Sequence, residues 1–334
     1  MKMRRRQFLA AAASSSALLL AGGTRLSAQE MVTLTHLTAP AGIGEYEWGL
    51  GVDRLLKNNS EWLRQRSQPT QGYLYNLRTV LNQKDKWDTL VLNIDPVSPW
   101  LAAQKKPPFG DGMEGLTLNG LMNCTWPIWT LVTADDSLNT VHDLAGRRIA
   151  LGPKAGTATL MAEETLKAAG MAEKVDLQYL SFADITSGLL DGTIDVGLAN
   201  LWYNAADNLI GPTQGMINLE AADRGFHYVD WTPEMLRKTH DERGVPYRIL
   251  EVPNGTMPLQ TADMMLYANP DYVGVSSTFP EEYAYEYVRQ VVAHLETVNQ
   301  AGGLGGLFTK PFLPHGIDNL HPGAARAYRE AGLI

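Results

Sequence analysis

Short apolar strands alternate with amphipathic helices in the part of the chain that follows residue 30. Strand segments show alternating or continuous apolar residues, and the segments between them carry apolar side chains at helical spacing. The pattern predicts strands at residues 31–37, 63–68 and 89–94, and helices at residues 48–55 and 73–81. This repeated strand–loop–helix order is typical of a parallel α/β sheet.

The same alternation starts again in the middle of the chain. It predicts strands at residues 129–133, 148–151, 177–180 and 194–198, with helices at residues 159–169 and 184–190. The remainder predicts a strand at 263–268, one long helix at 281–301, and an irregular tail from 308 that ends in a short helix. Two α/β units and a C-terminal return predict two Rossmann-like lobes joined by a hinge. Ligands of such sheets bind at the carboxyl ends of the strands, so we expect the site in the cleft between the lobes.

The positions at which the chain crosses between the lobes follow from this division. We expect the crossings near residues 124–128 and 252–262. The predicted organisation is an export signal at 1–28, the first part of lobe 1 at 29–127, lobe 2 at 128–257, and the return to lobe 1 at 258–334.

The first 28 residues have the three-part layout of a secretory signal. Residues 1–6 are basic, residues 8–21 are apolar and small, and residues 26–28 fit a cleavage site. The run at residues 5–9, RRQFL, fits the twin-arginine pattern, and an ordinary Sec signal is the alternative. The signal is too short to span a bilayer, and no later apolar run reaches the required length. We therefore expect a soluble periplasmic protein that begins near Gln29.

Charge and composition narrow the classes of partner. The chain is 45% hydrophobic and 19% charged, which are globular proportions. Its formal charge is −8, and because residues 1–28 hold five cations and no acid, the rest carries −13. An acidic body argues against nucleic acid or an anionic membrane as partner. It leaves an anionic small ligand open, since a pocket sets its own local potential.

Catalytic and metal-binding motifs are missing from the sequence. HExxH, CxxC, GxSxG and GxxxxGK[ST] do not occur, and the seven histidines are scattered. The one cysteine, Cys124, excludes an internal disulfide framework and is expected to be buried. We therefore predict no catalytic residues, no metal and no cofactor, and a protein that is not an enzyme.

Two glycine-containing turns that lead into helices are candidate anion sites. Free backbone N–H groups and the positive end of a helix suit a carboxylate or phosphate. Residues 152–159 hold one such turn, and residues 70–73 repeat the geometry in the first lobe. Simple N-capping by Thr157 or Thr159 is the equally weighted alternative for the turn at 152–159.

Aromatic side chains cluster in the same loops, although most tryptophans are expected to pack in the core. Trp202 and Tyr203 are stronger candidates because they follow a strand directly. Glu45 and Glu47 fit an anion site poorly. They are either solvated charges of a first helical turn or partners for a cationic or hydroxyl group of the ligand. The predicted ligand-binding residues are Gly44, Tyr46, Trp48, Thr70, Tyr73, Asn76, Asp95, Lys154, Gly156, Thr157, Thr159, Trp202 and Tyr203.

Three segments resemble known transport receptors. Residues 140–152, TVHDLAGRRIALG, resemble the SVxDLxGKRVAVG stretch of type II periplasmic solute-binding proteins. Residues 180–184 and 190–195 resemble the LSxxEAxxxLxDGxIDA stretch of the same proteins. The tail at 321–332, HPGAARAYREAG, is similar to HPGAxRYYREKG of the TAXI class of TRAP-transporter receptors. The resemblance covers nearly the whole chain after the signal.

The resemblance implies a monomeric, two-lobed receptor that closes about a hinge. Such a receptor captures a small organic acid or amino acid and delivers it to TRAP membrane subunits. Thr70, Gly72, Tyr73, Asn76 and Leu77 match the family's first-lobe turn, with Tyr73 in place of a serine. The second-lobe loop of the family is matched by Gly156 and Thr157.

The loop after the first strand departs most from the resemblance. The family's GTGSTGGTYYPLG becomes LTAPAGIGEYEWGLG at residues 37–51, with two acids and a tryptophan. The added aromatic residues suggest a larger or aromatic acid as ligand. The alternatives are an ABC-type receptor for a vitamin precursor or sulfonate, and a secreted hydrolase or transferase. The enzyme alternative requires a nucleophile with a base in reach, which the sequence does not offer.

Overall fold

A computed structural model describes residues 30–41, 43–154, 156–300 and 306–334. The predicted export signal at 1–28 lies outside these residues. Within them, no helix combines the length and apolar character needed to cross a bilayer.

The first sheet has five strands in the described chain. They are β1 (Val32–Leu37), β2 (Leu63–Gln68), β3 (Leu90–Ile94), β4 (Leu118–Thr125) and β13 (Asp271–Ser276), in the spatial order β2-β1-β3-β13-β4. Strands β1, β2 and β3 are mutually parallel, whereas β13 runs antiparallel to β3 and β4. The helices of this lobe are α1 (Gly44–Asn59), α2 (Tyr73–Asn82), α3 (Val97–Ala103), α8 (Glu281–Ala293), α9 (Leu295–Asn299) and α10 (Pro322–Glu330), with a short 3₁₀ turn at Lys84–Lys86.

The second sheet contains the remaining strands of the described residues. They are β5 (Pro127–Thr133), β6 (Arg148–Leu151), β7 (Asp176–Tyr179), β8 (Val196–Asn204), β9 (Leu209–Pro212), β10 (His227–Val229), β11 (Arg248–Val252) and β12 (Met264–Ala268). Their order is β11-β12-β5-β8-β6-β7, and β10 and β9 pair with β5 and β8. The helices of this lobe are α4 (Thr157–Ala168), α5 (Phe182–Asp191), α6 (Gln214–Ala221) and α7 (Pro233–Arg243), with a 3₁₀ turn at Val141–Leu144. The two sheets confirm the predicted two-lobed α/β fold of periplasmic binding proteins.

The chain passes between the sheets at two places. Strand β4 leads into β5 through Trp126, and β12 leads into β13 through Asn269 and Pro270. The sequence places residues 258–334 in lobe 1, but β12 pairs with β5 and β11 and so belongs to the second sheet. The Pro- and Gly-containing segment that suggested an earlier crossing is instead the connection between the antiparallel strands β11 and β12.

Several elements differ from the sequence expectation. The long helix expected at 281–301 is interrupted at His294, whose φ of −125° and ψ of 29° end α8 before α9 begins. Strand β4 was not predicted, since its sequence LNGLMNCT mixes Asn and Gly with apolar residues. Strands β9, β10, β11 and β13 and helices α3, α6 and α7 were not predicted either.

Acidification is expected to destabilise the fold through His36, which is fully buried in β1. Its Nε2 lies 2.7 Å from Oδ1 of Asn93, and burial lowers the pKa of His36 from 6.5 to about 4. Between these two pH values the unfolded chain binds a proton at His36 and the folded chain does not, so stability falls as the pH falls. The difference corresponds to about 3 kcal/mol.

Urea unfolding at about pH 7.5 and about pH 4 checks this prediction. The variant His36→Gln keeps an N–H donor for Asn93 and does not titrate, so it should lose about 3 kcal/mol less than the wild type on acidification. Equal losses in the two proteins would show that His36 does not control the acid sensitivity.

Candidate functional site

The candidate site lies where the ends of β1, β3 and β13 meet at one edge of the first sheet. Strands β1 and β3 are parallel and end here, while the antiparallel β13 begins here at Asp271. Helices α1 and α2 both start at this edge, after the turns that follow β1 and β2. This is the strand edge at which open α/β sheets bind ligands.

Two buried carboxyl groups and a phenol form the centre of this edge. The hydroxyl oxygen of Tyr73 lies 2.7 Å from Oδ2 of Asp271 and 3.1 Å from Oε1 of Glu45. Glu45 is 3% exposed and Asp271 is 0% exposed. A phenol has one hydrogen to donate, and the shorter distance assigns that hydrogen to Asp271.

The centre has a negative electrostatic potential. Burial, together with the charges of Asp271 and Glu45, raises the pKa of Tyr73 well above its ordinary range. Burial and the same two carboxylates raise the pKa of the Cys124 thiol. Both groups therefore stay protonated at neutral pH, and Cys124 is the buried thiol that the sequence predicted.

Asn76 and Thr70 hold the strand ends and the turn in place. The Asn76 amide nitrogen donates to the carbonyl oxygens of Thr38 and Asn93 at 2.8 and 2.9 Å. The Thr70 hydroxyl donates to the Thr38 carbonyl at 2.7 Å and accepts from the N–H of Gly72 at 3.1 Å. These contacts fix the backbone around the site, and they leave ligand contact by either residue as a prediction.

Asp95 connects the two lobes. This fully buried residue accepts hydrogen bonds from the Ser98 hydroxyl at 2.5 Å and from the Asn269 amide at 3.2 Å. Thr157, the first residue of α4 in the other lobe, lies close enough for its hydroxyl to lower the pKa of Asp95. Burial raises the pKa of Asp95, and these hydrogen bonds partly offset that rise. The lobes are therefore closed on each other here, with a protein carboxylate at the start of α4.

Side chains of the second lobe pack closely around the start of α4, near Thr157. The rings of Trp129 and Phe182 lie 5.3 Å apart, and a Cβ on Gly152 would lie 2.6 Å from the Phe182 ring. Thr159 is buried there, and its hydroxyl has no hydrogen-bond partner among the described residues. Gly156 caps α4 through its backbone, so Thr157 and Thr159 lie inside the first turn rather than at the N-cap position.

An aromatic cavity of about 10 Å³ adjoins this centre. Its lining consists of Cys124, Trp126, Trp202, Tyr203, Leu307, Phe308 and Phe312. Trp202 and Tyr203, two of the predicted ligand-binding residues, therefore line this cavity, and their contact with a ligand stays a prediction. Trp48 lies behind the cavity, 1% exposed and stacked on Phe308 with ring centroids 5.4 Å apart.

Three predicted residues lie apart from the buried centre. Lys154 is exposed, with its ammonium 5.0 Å from the centre of the Tyr179 ring. Gly44 and Tyr46 lie in the first turn of α1 and are partly exposed. Ligand contact by Lys154, Gly44 and Tyr46 stays a prediction.

Sequence reasoning missed two residues of the site. Asp271 and Asn269 flank Pro270, in a segment where the sequence pattern predicts no crossing between the sheets. Glu45 was weighed as a partner for a cationic group and was not predicted as a ligand contact. A proline between two polar residues after an apolar strand was the available signal for a crossing.

Within the described residues, no group of three or more His, Cys, Asp or Glu side chains could hold a metal ion. The site is built from carboxyl, amide, hydroxyl and aromatic groups. These groups bind solutes by hydrogen bonds, charge and stacking.

Comparison with known proteins decides the family. The sequence profile described as the NMT1-like family matches residues 37–332. The chain belongs to the NMT1-like family. The match assigns this NMT1-like protein to its family. It does not show membership of the TAXI class, which the tail motif led us to expect. No curated protein sequence matches it.

Two solved structures are similar to this chain at low sequence identity. A TctC solute-binding protein from Polaromonas is 15% identical, with 92% of this chain and 97% of that chain covered and a TM-score of 0.48. The alkanesulfonate-binding protein SsuA from Xanthomonas axonopodis pv. citri, bound to MOPS, is 17% identical, with 92% and 82% covered and a TM-score of 0.39. Similarity at this level says nothing about the ligand of the NMT1-like protein.

Proposed function

We propose that this NMT1-like protein is an extracytoplasmic solute receptor that closes its two lobes on a small molecule and is not an enzyme. The observation that carries the proposal is that the lobes meet, since Asn204 of one lobe donates to Leu307 and Thr309 of the other, and Thr157 lies near the buried Asp95. Two segments join the lobes in the described part of the chain, and a rotation about them would open the cleft. A receptor of this kind needs closure and release, and it needs no nucleophile.

Contacts beside the hinge support a defined closed state. Asn204, at the end of β8, donates to the Leu307 carbonyl at 2.8 Å and to the Thr309 hydroxyl at 3.1 Å. Thr309 also donates to Asp207. These polar contacts join a second-lobe hairpin to a first-lobe segment, and ligand binding would add its own contacts to the same closed state.

The transport partner is proposed from the tail. Its similarity to the TAXI class supports delivery of the solute to TRAP membrane subunits by a soluble, monomeric periplasmic protein. An ABC-type receptor is the alternative, and uptake measurements separate the two. TRAP-coupled uptake should stop when the ion gradient is collapsed, and ABC-coupled uptake should stop when ATP is depleted.

A thermal-shift screen of the purified protein tests the receptor proposal. The panel contains aliphatic dicarboxylates, keto acids, glutamate, aromatic carboxylates and their amine counterparts. A solute at a hundred times its Kd should stabilise the folded protein by about 2.7 kcal/mol, which raises the Tm by several degrees. The solute should be recovered unchanged by NMR. Chemical conversion of a bound solute would contradict a receptor, and so would a flat response to the whole panel.

The closing contact gives a further prediction. Thr157→Val keeps the shape of the side chain and removes the hydroxyl that we expect to hydrogen-bond to Asp95 when the lobes close on a solute. A hydrogen bond to a charged group contributes about 1.5 kcal/mol or more, so the affinity for a panel solute should fall about tenfold. Isothermal titration checks this, with Thr79→Val as control because the Thr79 hydroxyl bonds only within its own exposed helix. Unchanged affinity in Thr157→Val would remove this contact from the closing mechanism.

A further inference from the structure

The buried ionisable side chains that face this site include three carboxyl groups and no cation among the described residues. Glu45, Asp95 and Asp271 are each at most 3% exposed. Among the described residues, no lysine or arginine is buried. A ligand carboxylate enclosed at this site would face three carboxyl groups across a medium that screens charge poorly. The organic acid implied by the resemblance therefore does not fit these charges.

Two buried side-chain amide oxygens at the same edge also favour a ligand that donates hydrogen bonds. Asn269 is 2% exposed, and its Nδ2 lies 3.2 Å from Oδ2 of Asp95, which places the amide beside this carboxyl group. Its Oδ1 has no hydrogen-bond partner among the described residues. The same is true of Oδ1 of the buried Asn76, three residues after Tyr73 on α2. Buried acceptors of this kind are stabilised by N–H or O–H donors.

The adjoining cavity adds aromatic faces. Trp126 lies 6.4 Å from Tyr203 and 6.3 Å from Phe312, measured between ring centroids. The cavity reaches Cys124, the thiol that experiences the charges of Glu45 and Asp271. Aromatic faces next to carboxylates attract cations through the ring quadrupole. Opening of the lobes would be needed to admit a ligand into this small space.

We propose that the solute is a small organic cation, a protonated primary or secondary amine or an amidine with an apolar body. Its N–H groups would donate to Glu45, Asp271 and the Asn269 amide, and its apolar part would lie against the rings of Trp126, Trp202 and Tyr203. This inference rests on the proposed receptor function and names its ligand class. It differs from the organic acid that the resemblance implies.

Matched amine and acid probes test the charge of the ligand. Isothermal titration of the purified protein would compare benzylamine, phenethylamine and agmatine with phenylacetate, 3-phenylpropionate and glutarate. At least one amine should bind at least about a hundredfold more tightly than the acid of similar size. Tight binding of an acid or a neutral solute with no amine binding would overturn the cation and leave the receptor intact. No binding by any probe of a folded protein would count against both proposals.

Substitutions of the acidic side chains test where the positive charge of the ligand binds. Glu45→Gln and Asp271→Asn each remove one charge at nearly constant shape, and each should weaken amine binding at least tenfold. Tyr73→Phe, which removes only the hydroxyl, should change amine binding less than either. Glu47→Gln is the control on the same helical turn, since Glu47 is partly exposed, and it should bind as the wild type does. A melting curve without ligand verifies that each variant is folded. Equal amine affinity in all four variants would refute the proposed position of the ligand's positive charge.

Discussion

Replacing Trp48 with alanine is expected to lower the free energy of unfolding by about 3–5 kcal/mol. Trp48 is 1% exposed in α1 and stacks on Phe308, so it joins the first helix to the segment that leads towards the C-terminal helix. Removing the indole takes away this contact and leaves a cavity that the two elements cannot close without moving. Urea unfolding followed by circular dichroism gives the change directly.

Two variants separate packing from ligand contact at this position. Trp48→Phe keeps a stacking ring and should lose only part of the stability. Trp202→Ala removes an equally large ring that is partly exposed in the cavity, and it should reduce stability less than Trp48→Ala while weakening ligand binding. If Trp48→Ala unfolds within about 1 kcal/mol of the wild type, the side chain is not a core residue and its predicted role as a ligand contact regains support.

Gly323→Ala is expected to destabilise the protein by about 3 kcal/mol, near the upper end of overpacking effects. A Cβ at this position would lie 2.1 Å from the Glu281 carbonyl oxygen and 2.8 Å from the Tyr285 nitrogen. Both atoms belong to the backbone of α8, so no side chain can rotate away. Helix α10 would have to move off α8 and off the first sheet, where Tyr328 donates to the Leu121 carbonyl at 2.9 Å.

The sign of the effect makes this test informative. Alanine is a better helix former than glycine, so without the clash the substitution would stabilise α10 by up to about 1 kcal/mol. Gly110→Ala is the matched control, because no heavy atom lies within 4 Å of the position that its methyl group would occupy and its backbone is not left-handed. A Gly323→Ala protein that melts at or above the wild-type Tm would contradict the described packing of α10 on α8.

The tail motif has a structural explanation in this molecule. His321 caps α10 by accepting from the N–H of Gly323 at 3.3 Å, and its other ring nitrogen lies 2.9 Å from the Phe279 carbonyl. Pro322 begins the helix, and Gly323 allows the close approach to α8. The motif that suggested the TAXI class therefore stabilises the C-terminal helix and takes no part in the site.

The elements that could be predicted from the sequence are those whose pattern lies within the segment itself. Strands β2 and β6 have the predicted bounds, and α2 extends the predicted helix by one residue. Strand β13 was missed because it forms only by pairing with β3 and β4, far away in the sequence. A window of neighbouring residues holds no information about such pairing.

The turns that form the candidate site could be predicted from the sequence, but the acidic side chains that meet there could not. The turn at Thr70 and the start of α4 were found because a strand, a glycine and a helix follow one another in the sequence. The contact of Tyr73 with Asp271 joins residues 198 positions apart, and it depends on where the chain crosses between sheets. Lys154 was predicted as a donor because it lies in the glycine turn before α4, and its ammonium lies 5.0 Å from the centre of the Tyr179 ring.

Closure of the lobes on a solute is the central claim, and a distance between the lobes measures it most directly. Because Cys124 is the one cysteine and is buried, spin labels can be placed selectively at Tyr75→Cys and Ile217→Cys, two exposed positions on opposite lobes. Double electron–electron resonance would record the distribution of distances between the two labels. It would be measured without solute and with the amine and acid probes at saturating concentration. We expect a binding probe to shift the population to one shorter, narrower distance. An unchanged distribution with a probe that demonstrably binds would contradict a closing receptor.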